Sequence, residues 1–451
     1  MTRQSAPTSP AVVLTVAGSD SGGGAGIQAD VKTIEASGGF ATTAITGVTA
    51  QNTTGVESTH LVPESEIEAQ IDAVCSDFDV AAVKTGMLAT SDVVTLVAER
   101  ASDLPNLVVD PVMVAASGDR LLEPEAETAY EELIAEATLV TPNADEAAVL
   151  TDIDVEDEAD ARRAGEQLLD LGADAALVKG GHVPGDEVVD VLVTADAVET
   201  FRHDRVSTEA THGSGCTLSA AIATELAHGV GLTEAVGTGI GLLSRAVRYN
   251  LDVGQGPGAV HHLVEARERA ARQPTAEEVE FVVEGLVEAN ARELVPEVGM
   301  NVVGATPYAE VPGETAAVEG RITRTLSGIK PNRGVRFGAS SHVARFLLAA
   351  REFEPDLRFA INCRFDERVE AALESLAAPV AEFDRDAEPE SVKEQEGSTM
   401  QWGARRAFEE SEGSPVAVID RGEVGKEAIV KLLAPDAETL LERATTLADE
   451  L

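Results

Sequence analysis

The chain has 451 residues, of which 44% are hydrophobic and only 3% are aromatic. Its length exceeds what one hydrophobic core usually organises, so we expect at least two domains with aliphatic cores. The 79 Asp and Glu residues outnumber the 34 Lys and Arg residues and give a net charge of −45. This charge argues against nucleic acid or an anionic membrane as a partner, and its dispersal along the chain predicts a halophilic protein adapted to a salty cytosol rather than an acidic tail.

The cysteines and the apolar runs indicate the cellular compartment of the protein. Cys75, Cys216 and Cys363 are far apart, which argues against a disulfide framework or a zinc site. No apolar run approaches the roughly 20 residues that span a bilayer, and the first ten residues lack the apolar core of a signal peptide. We therefore expect a cytoplasmic protein with small-molecule partners, and a homo-oligomer is compatible with the sequence.

In the first part of the chain, short apolar runs alternate with amphipathic helical segments. Strands are predicted at VVLTV, ATTAITGV, DVAAVK, NLVVD, TLVTPN and DAALVKGG. Helices are predicted at IQADVKTIEAS, SDVVTLVAERAS and EAETAYEELIAEA. This alternation indicates an α/β fold with a mostly parallel sheet, in which ligands bind beyond the carboxyl ends of the strands.

Three glycine-containing segments follow predicted strands: AGSDSGGGAG (17–26), VKGGH (178–182) and THGSGCT (211–217). In the third, Gly213, Ser214, Gly215 and Cys216 would present amide N–H groups at a helix N-terminus, an arrangement that suits a phosphoryl group. The same helix end is expected to lower the pKa of Cys216 and favour its thiolate. The alternative is that Cys216 is a small buried hydrophobic residue.

These segments, together with TGVTAQNT, VKTGML, VVDPVM and TPNADEA, resemble the hydroxymethylpyrimidine and hydroxymethylpyrimidine-phosphate kinase family. The resemblance covers roughly residues 10–268 and implies a ribokinase-like domain that uses ATP and Mg²⁺. It implies that Cys216 is the general base for the substrate alcohol and that Asp30 and Gln51 lie in the pyrimidine pocket. A pyridoxal or sugar kinase of the same fold is the alternative.

The resemblance also assigns residues to the phosphates. Asn143 and Glu146 form an N-x-x-E pattern associated with magnesium and phosphate ordering, and Lys179 would assist at the phosphates. Other readings stay open for two positions, since Asn143 is also a good helix cap and Asp30 is also compatible with an exposed helical acid.

A Gly/Pro cluster and a charged stretch near residue 270 predict a link to a second α/β pattern. The segment Gly320–Arg345 concentrates basic residues in an acidic chain, namely Arg321, Arg324, Lys330, Arg333, Arg336, His342 and Arg345. Such a cluster predicts an anionic ligand such as pyrophosphate, with Ser340 or Ser341 as the cap of the following helix. The alternative is that these arginines pair with surface acids.

The marks VPEVGMNVVGA, Gly320-Arg321 and FGASSHVAR resemble the archaeal-type thiamine-phosphate synthase domain over roughly residues 275–451. The resemblance implies a second, smaller α/β domain in which activity depends on Arg321 and His342. The implied reaction joins hydroxymethylpyrimidine diphosphate to hydroxyethylthiazole phosphate and releases pyrophosphate. A non-catalytic domain that senses thiamine phosphates is the alternative.

Overall fold

The computed structural model describes residue 4 and residues 6–113, 127–393, 398–411, 413–423 and 426–451. Two units divide the chain, Met1–Glu265 and Ala266–Leu451. Along the described residues, no helix combines the length and the hydropathy that a membrane span requires.

One sheet of nine strands organises the first unit: β1 (Val12–Asp20), β2 (Phe40–Asn52), β3 (Gly55–Leu61), β4 (Val80–Thr85), β5 (Leu107–Val109), β6 (Leu139–Val140), β7 (Ala175–Val178), β8 (Glu187–Thr194) and β9 (Val198–Asp204). The strand order is β3-β2-β1-β4-β5-β6-β7-β8-β9. Six adjacent strands are parallel to one another: β2, β1, β4, β5, β6 and β7. The remaining strands β3, β8 and β9 are antiparallel to their neighbours. The predicted mostly parallel α/β sheet is confirmed.

Helices cover both faces of this sheet: α1 (Gly26–Ala36), α2 (Glu64–Asp77), α3 (Ser91–Arg100), α4 (Glu127–Ile134), α5 (Ala144–Thr151), α6 (Glu158–Asp170), α7 (Ser214–Ala227) and α8 (Leu232–Arg248). Successive strand residues point to opposite faces. Leu14 therefore packs with residues of α2, α3 and α4, whereas Val13 packs with residues of α1, α7 and α8.

Helix α9 (Val264–Glu288) runs through residue 270, where the sequence predicts a link. The Gly/Pro cluster lies upstream of this helix, at residues 254–258, and the charged stretch that follows it has good helix formers such as Ala, Glu and Arg. Pro274 lies inside the helix. The predicted linker is therefore helical in its charged part.

The second unit contains β10 (Val302–Ala305), β11 (Thr315–Val318), β12 (Ile322–Thr325), β13 (Gly328–Pro331), β14 (Val335–Phe337), β15 (Phe359–Arg364), β16 (Val380–Phe383), β17 (Ala417–Asp420) and β18 (Ile429–Ala434). Its helices are α10 (His342–Ala350), α11 (Glu367–Leu373), α12 (Glu390–Lys393), α13 (Ser398–Glu409) and α14 (Ala437–Asp449). Seven strands form a sheet in the order β14-β11-β10-β15-β18-β17-β16, and β12 and β13 form a separate hairpin.

The second sheet is mixed, with β16 and β17 parallel and the other paired strands of the described residues antiparallel. Val302 and Ile361 pack with α9 and α14 on one face, and Val303 and Ala360 pack with α10 and α13 on the other. Cys363 lies in the first of these cores, as expected for an apolar strand. The predicted second α/β region is confirmed.

Candidate active sites

A cavity of about 960 Å³ lies at the carboxyl ends of the parallel strands in the first unit. All three glycine-containing segments contribute to its wall. The sequence-predicted site residues that line the cavity are Gln51, Asn143, Glu146, Lys179, Gly213, Ser214, Gly215 and Cys216. Segments that are far apart in the sequence therefore meet where the parallel sheet predicts a ligand site.

Asp30 lies behind the cavity wall rather than in it. Its side chain is fully buried and accepts two hydrogen bonds from Lys84 Nζ, both at 2.9 Å, and one from Thr15 Oγ1 at 2.6 Å. Lys84 itself lines the cavity. Burial favours a neutral Lys84, but the charge of Asp30 offsets this and raises the lysine pKa. Asp30 therefore acts on the cavity through the Lys84 ammonium group that it holds, and not by lining the cavity itself.

The loop before α7 packs directly on the first glycine-containing loop. Gly213 is the N-cap of α7 and has a φ of +83°. A Cβ at this position would lie 1.8 Å from the carbonyl oxygen of Gly24, so the two backbones are in contact. Ser214 N–H donates to the Thr211 carbonyl at 3.1 Å. Gly215 and Cys216 follow at the cavity end of the helix, where the first amides of a helix have no intrahelical acceptor.

Cys216 is the third residue of this helix and is partly buried. Burial raises the pKa of its thiol to about 11, and the charge of Lys84 and a hydrogen bond with the Gly26 backbone only partly oppose this effect. The prediction of a lowered pKa is therefore wrong for the free protein. Removal of the thiolate from water raises the pKa by more than the charge of Lys84 and the Gly26 hydrogen bond lower it.

A second group of charges lies after β5 and β7. Lys179 Nζ donates to Asp110 Oδ1 at 3.0 Å and lies 3.9 Å from Glu146 Oε2. Asp110 also accepts hydrogen bonds from the hydroxyls of Thr141 and Ser219, each at 3.3 Å. This carboxylate is the aspartate of VVDPVM (108–113), and its position directly after the buried strand β5 was the signal that could have identified it.

Asn143 and Glu146 have a structural role in addition to their place in the cavity wall. Glu146 N–H donates to Asn143 Oδ1 at 2.9 Å, and Asn143 N–H donates to Glu146 Oε2 at 2.8 Å. This reciprocal pair is a capping box at the start of α5. Burial raises the pKa of Glu146 to about 7; Lys179 lowers it and Asp110 raises it further.

The carboxylates of Asp110 and Glu146 fit a magnesium ion that is shared with a nucleotide. Mg²⁺ prefers oxygen ligands and is usually held by one or two carboxylates together with phosphate oxygens and water. Within the described part of the chain, no group of three or more His, Cys, Asp or Glu side chains is placed to hold a metal. If such an ion bound here, Asp110 and Glu146 would supply two of its ligands.

Asp20, His212 and Gln51 meet beside the first glycine-containing loop, a grouping that the sequence did not predict. Asp20 ends β1 and accepts hydrogen bonds from the loop amides of Gly22, Gly24 and Ala25. His212 Nε2 lies 3.1 Å from Asp20 Oδ2 and 3.3 Å from Gln51 Nε2.

His212 therefore joins the first glycine-containing loop, the third one and the end of β2. Burial raises the pKa of Asp20, but hydrogen bonds from His212 and from the loop amides outweigh this and lower it. The carboxylate thus stays ionised and holds the loop in shape.

In the second unit, Arg321 has a φ of +70° and its guanidinium donates to the Val298 carbonyl. His342 is the first residue of α10. Burial lowers its pKa, and the charges of Arg321, Arg345, Lys431 and Arg385 lower it further. The two residues singled out by the sequence therefore lie in one strongly cationic environment, in which His342 is neutral at pH 7.

The predicted serine cap of α10 is wrong. Ser341 is the N-cap residue, but its backbone is helical rather than extended and its hydroxyl accepts no helix N–H. Instead, Ser341 Oγ lies 3.3 Å from His342 Nδ1. A capping side chain needs an extended backbone to reach the second or third amide, and this geometry is absent at Ser341. The hydroxyl orients the imidazole instead.

The residues of the basic cluster have different surroundings. Arg333 and Arg336 face Glu319, at 3.7 and 3.2 Å, as the surface-pairing alternative expects. Arg324 donates to a backbone carbonyl, that of Arg292. Arg345 remains near His342, and two further cations, Arg385 and Lys431, join from distant parts of the chain. Lys330 lies exposed on the hairpin strand β13.

Two family models match this chain. Residues 20–261 match phosphomethylpyrimidine kinase, and residues 278–446 match the thiamine-phosphate synthase ThiN. A hydroxymethylpyrimidine/phosphomethylpyrimidine kinase of Rhizobium meliloti is 48% identical over 257 residues, which are 56% of this chain and 97% of the relative. The thiamine biosynthesis bifunctional protein ThiED of Geobacter sulfurreducens is 43% identical over 266 residues, 58% of this chain and 54% of the relative.

Solved structures give the same fold for the first unit. The pyridoxal kinase of Bacillus subtilis, an ADP complex, has a TM-score of 0.53 and 33% identity over 56% of this chain and 98% of its own. The pyridoxal kinase of Staphylococcus aureus with ADP has a TM-score of 0.54 and 30% identity over 57% of this chain and 94% of its own. Since the first family model covers more than half of the 451 residues, the chain belongs to the phosphomethylpyrimidine kinase family, and its second part matches the ThiN family.

Proposed function

We propose that this chain is a bifunctional enzyme of thiamine biosynthesis. Its first unit phosphorylates hydroxymethylpyrimidine and then the monophosphate, with ATP as donor. Its second unit couples the diphosphate to hydroxyethylthiazole phosphate and yields thiamine phosphate and pyrophosphate. The observation that carries this proposal is the presence of both family matches in one chain, the first of them enclosing a cavity lined by Gln51, Lys179 and Cys216.

In the kinase site, we assign recognition of the pyrimidine to Gln51. Its side-chain amide offers one acceptor and two donors, which match a ring nitrogen beside an amino group. Thr49 Oγ1 donates to Gln51 Oε1 at 3.2 Å, and His212 lies near its nitrogen, so the amide is oriented before substrate binds. Lys84, fixed by Asp30, supplies a positive charge to the same cavity.

For phosphoryl transfer, Cys216 is the proposed base. Its thiolate takes the proton of the hydroxymethyl alcohol while the alcohol oxygen attacks the γ-phosphorus and ADP leaves. The amides at the start of α7 and the Lys179 ammonium stabilise the charge on the transferred group. Bound Mg²⁺ would neutralise phosphate charge, with Asp110 and Glu146 as its protein ligands.

In the synthase site, the bond between the pyrimidine methylene carbon and the diphosphate oxygen breaks as the thiazole nitrogen bonds to that carbon. The leaving diphosphate needs positive charge and hydrogen-bond donors. Arg321 supplies a fixed fork of N–H groups. His342, whose pKa is lowered by burial and by nearby cations in the ligand-free protein, donates one hydrogen bond to the diphosphate.

The test is a product assay with the purified chain, ATP, Mg²⁺, hydroxymethylpyrimidine and hydroxyethylthiazole phosphate. We expect thiamine phosphate from the wild type, detected by fluorescence after oxidation. Arg321→Ala should accumulate the pyrimidine diphosphate and make at least 100-fold less thiamine phosphate, because the leaving group loses its guanidinium. Diphosphate from the wild type without thiamine phosphate would instead make the second unit a sensor.

A pyridoxal kinase is the second candidate for the first unit, since the solved neighbours quoted above are pyridoxal kinases. Parallel measurements of kcat/KM for pyridoxal and hydroxymethylpyrimidine decide between the two. We expect the pyrimidine to be preferred at least tenfold, since Gln51 pairs with its ring edge. A higher kcat/KM for pyridoxal would reverse the assignment.

We also place the enzyme in the cytosol, which is compatible with three free cysteines.

A further inference from the structure

The side-chain amide of Gln51, which lines the kinase cavity, lies between two polar side chains. Its Nε2 is 3.3 Å from His212 Nε2, and its Oε1 is 3.2 Å from Thr49 Oγ1. The main chain of Gln51 is anchored, because its N–H donates to Ser21 Oγ at 2.8 Å and the Ser21 hydroxyl donates to its carbonyl at 2.6 Å. The amide keeps one freedom, a half turn about its last bond that exchanges its oxygen and nitrogen.

The carboxylate of Asp20 decides which kind of hydrogen bond His212 can make. This carboxylate accepts hydrogen bonds of 2.7 to 2.9 Å from three loop amides, those of Gly22, Gly24 and Ala25. A carboxylate surrounded by donors stays ionised and can only accept. His212 Nε2 is 3.1 Å from Asp20 Oδ2 and therefore carries a proton, whether the imidazole is neutral or charged. A ring nitrogen that carries a proton cannot accept a hydrogen bond from an amide N–H.

The hydroxyl of Thr49 places a matching restriction on the other side of the amide. Its one proton is shared between two acceptors, the Ser19 carbonyl at 2.8 Å and Gln51 Oε1 at 3.2 Å. The shorter contact holds most of the proton, so Thr49 mainly offers Gln51 an acceptor lone pair. A half turn of the amide brings its oxygen to the His212 N–H and its NH₂ group to the Thr49 hydroxyl. In this turned orientation, both contacts are complete hydrogen bonds.

We propose that Asp20 and His212, together with Thr49, fix the Gln51 amide in the turned orientation when a pyrimidine binds, and that this fixed amide selects the aminopyrimidine over its oxo analogue. This inference rests on the proposed kinase reaction. His212 acts on the substrate only through Gln51 and is thus a positioning residue for specificity.

The selectivity follows from the hydrogen-bonding pattern of the two ligands. The fixed amide of Gln51 uses one acceptor site and one donor on its neighbours and presents one of each to the ligand. In the aminopyrimidine, the ring nitrogen accepts and the amino group donates. In the oxo analogue, a carbonyl replaces the amino group and the ring nitrogen carries a proton, so the two roles are exchanged. A free amide would turn to match either ligand, whereas a fixed amide matches only one.

The experiment measures kcat and KM of the first phosphorylation for the aminopyrimidine alcohol and for its oxo analogue, with the full chain. We expect wild type to prefer the aminopyrimidine at least 100-fold in kcat/KM, because the analogue would set donor against donor and acceptor against acceptor. His212→Phe keeps a ring but has no N–H to fix the amide. It should raise KM for the aminopyrimidine with kcat within threefold of wild type, and lower the preference at least tenfold.

Two further variants separate orientation of the amide from support of the loop. His212→Gln places an amide N–H near the position of the imidazole Nε2 and should return the preference to within threefold of wild type. Lys32→Met is the matched control, since Lys32 is exposed and its Nζ donates to the Gly23 carbonyl of the same loop at 2.6 Å. Its preference should stay within twofold of wild type. If His212→Phe does not fold, Thr49→Val removes the partner on the other side of the amide and should lower the preference at least tenfold.

The outcomes are separable. A preference within twofold of wild type in His212→Phe, with equal losses for both pyrimidines, overturns the inference and makes His212 a support of the loop. A wild type that phosphorylates both pyrimidines with similar kcat/KM also overturns it but leaves the kinase function intact. A wild type that phosphorylates pyridoxal and neither pyrimidine overturns the proposed function and this inference with it. A preference that falls in His212→Phe, returns in His212→Gln and is kept in Lys32→Met supports the inference.

Discussion

At the scale of single residues, the two phosphorylations make different demands on Cys216. The first step needs a base for a weakly acidic alcohol, whereas the second starts from a phosphate that is already ionised. Cys216→Ala should therefore lower kcat of the first step by about 10²–10⁴-fold, the usual contribution of a general base, and the second by less than tenfold. Separate assays with hydroxymethylpyrimidine and with its monophosphate measure the two rates.

The raised pKa of Cys216 adds a pH dependence to this prediction. With a pKa of about 11, the thiolate is a small fraction at pH 7 and grows as the pH rises toward that value. The first-step kcat/KM of wild type should rise between pH 7 and 9, and Cys216→Ala should show a flatter profile. Equal losses in both steps would instead make Cys216 part of the anion pocket only.

The sequence identified functional residues that belong to local motifs. It missed residues whose partners are distant in the sequence. Gln51, Lys179 and Cys216 belong to local patterns whose spacing carries information. Lys84 stands inside an apolar strand, and its partner Asp30 is 54 residues away, so no local pattern relates them. Lys431 was missed for the same reason, because it lies near His342 only when β18 and α10 pack together.

At the scale of elements, the contact between the two glycine-containing loops gives a sharp test. An alanine at position 213 must adopt a φ of +83° and place its Cβ 1.8 Å from the Gly24 carbonyl. The left-handed conformation alone costs about 1–2 kcal/mol, and the clash adds to it by pushing the loops apart. We expect Gly213→Ala to lower the melting temperature and to reduce both kinase rates at least 100-fold.

Gly229→Ala is the matched control for this variant. Gly229 follows the same helix, has a φ of +80° and has no atom within 4 Å of an added Cβ. The Gly229→Ala variant therefore has the cost of the left-handed conformation but no clash, and its kinase rates should stay within about threefold of wild type. Similar kinase losses in the two variants would show that the loop contact has no part in catalysis. Calorimetry and steady-state rates measure both effects.

The sequence predicted strand pairing correctly where a local pattern determines which strands are neighbours in the sheet. Alternating apolar strands and amphipathic helices imply parallel pairing, because each helix returns the chain to the same edge, and the six central strands of the first sheet follow this rule. In the second unit, the antiparallel pairing of β15 with β18 joins strands that are separated by α11, α12, α13 and two other strands. No local pattern encodes this partner, so the sequence predicted an α/β region but not its mixed sheet.

At the scale of the whole molecule, the net charge of −45 predicts salt dependence. Repulsion among dispersed carboxylates destabilises the compact state, and screening shortens its range from about 10 Å at 0.1 M to about 3 Å at 1 M salt. Thermal unfolding followed by calorimetry should therefore show a melting temperature that rises by several degrees between 0.1 and 2 M KCl. Kinase activity should rise over the same range, since the folded fraction increases.

Screening must be separated from the general stabilisation that excluded cosolutes give. Sucrose at matched osmolality stabilises by exclusion but carries no charge, so it should raise the melting temperature less than KCl does at ionic strengths below 1 M. Screening also predicts that most of the KCl effect is complete by about 1 M, because the Debye length changes little beyond that concentration. An unchanged melting temperature between dilute and molar KCl would refute salt adaptation and leave the acidic surface without a role in stability.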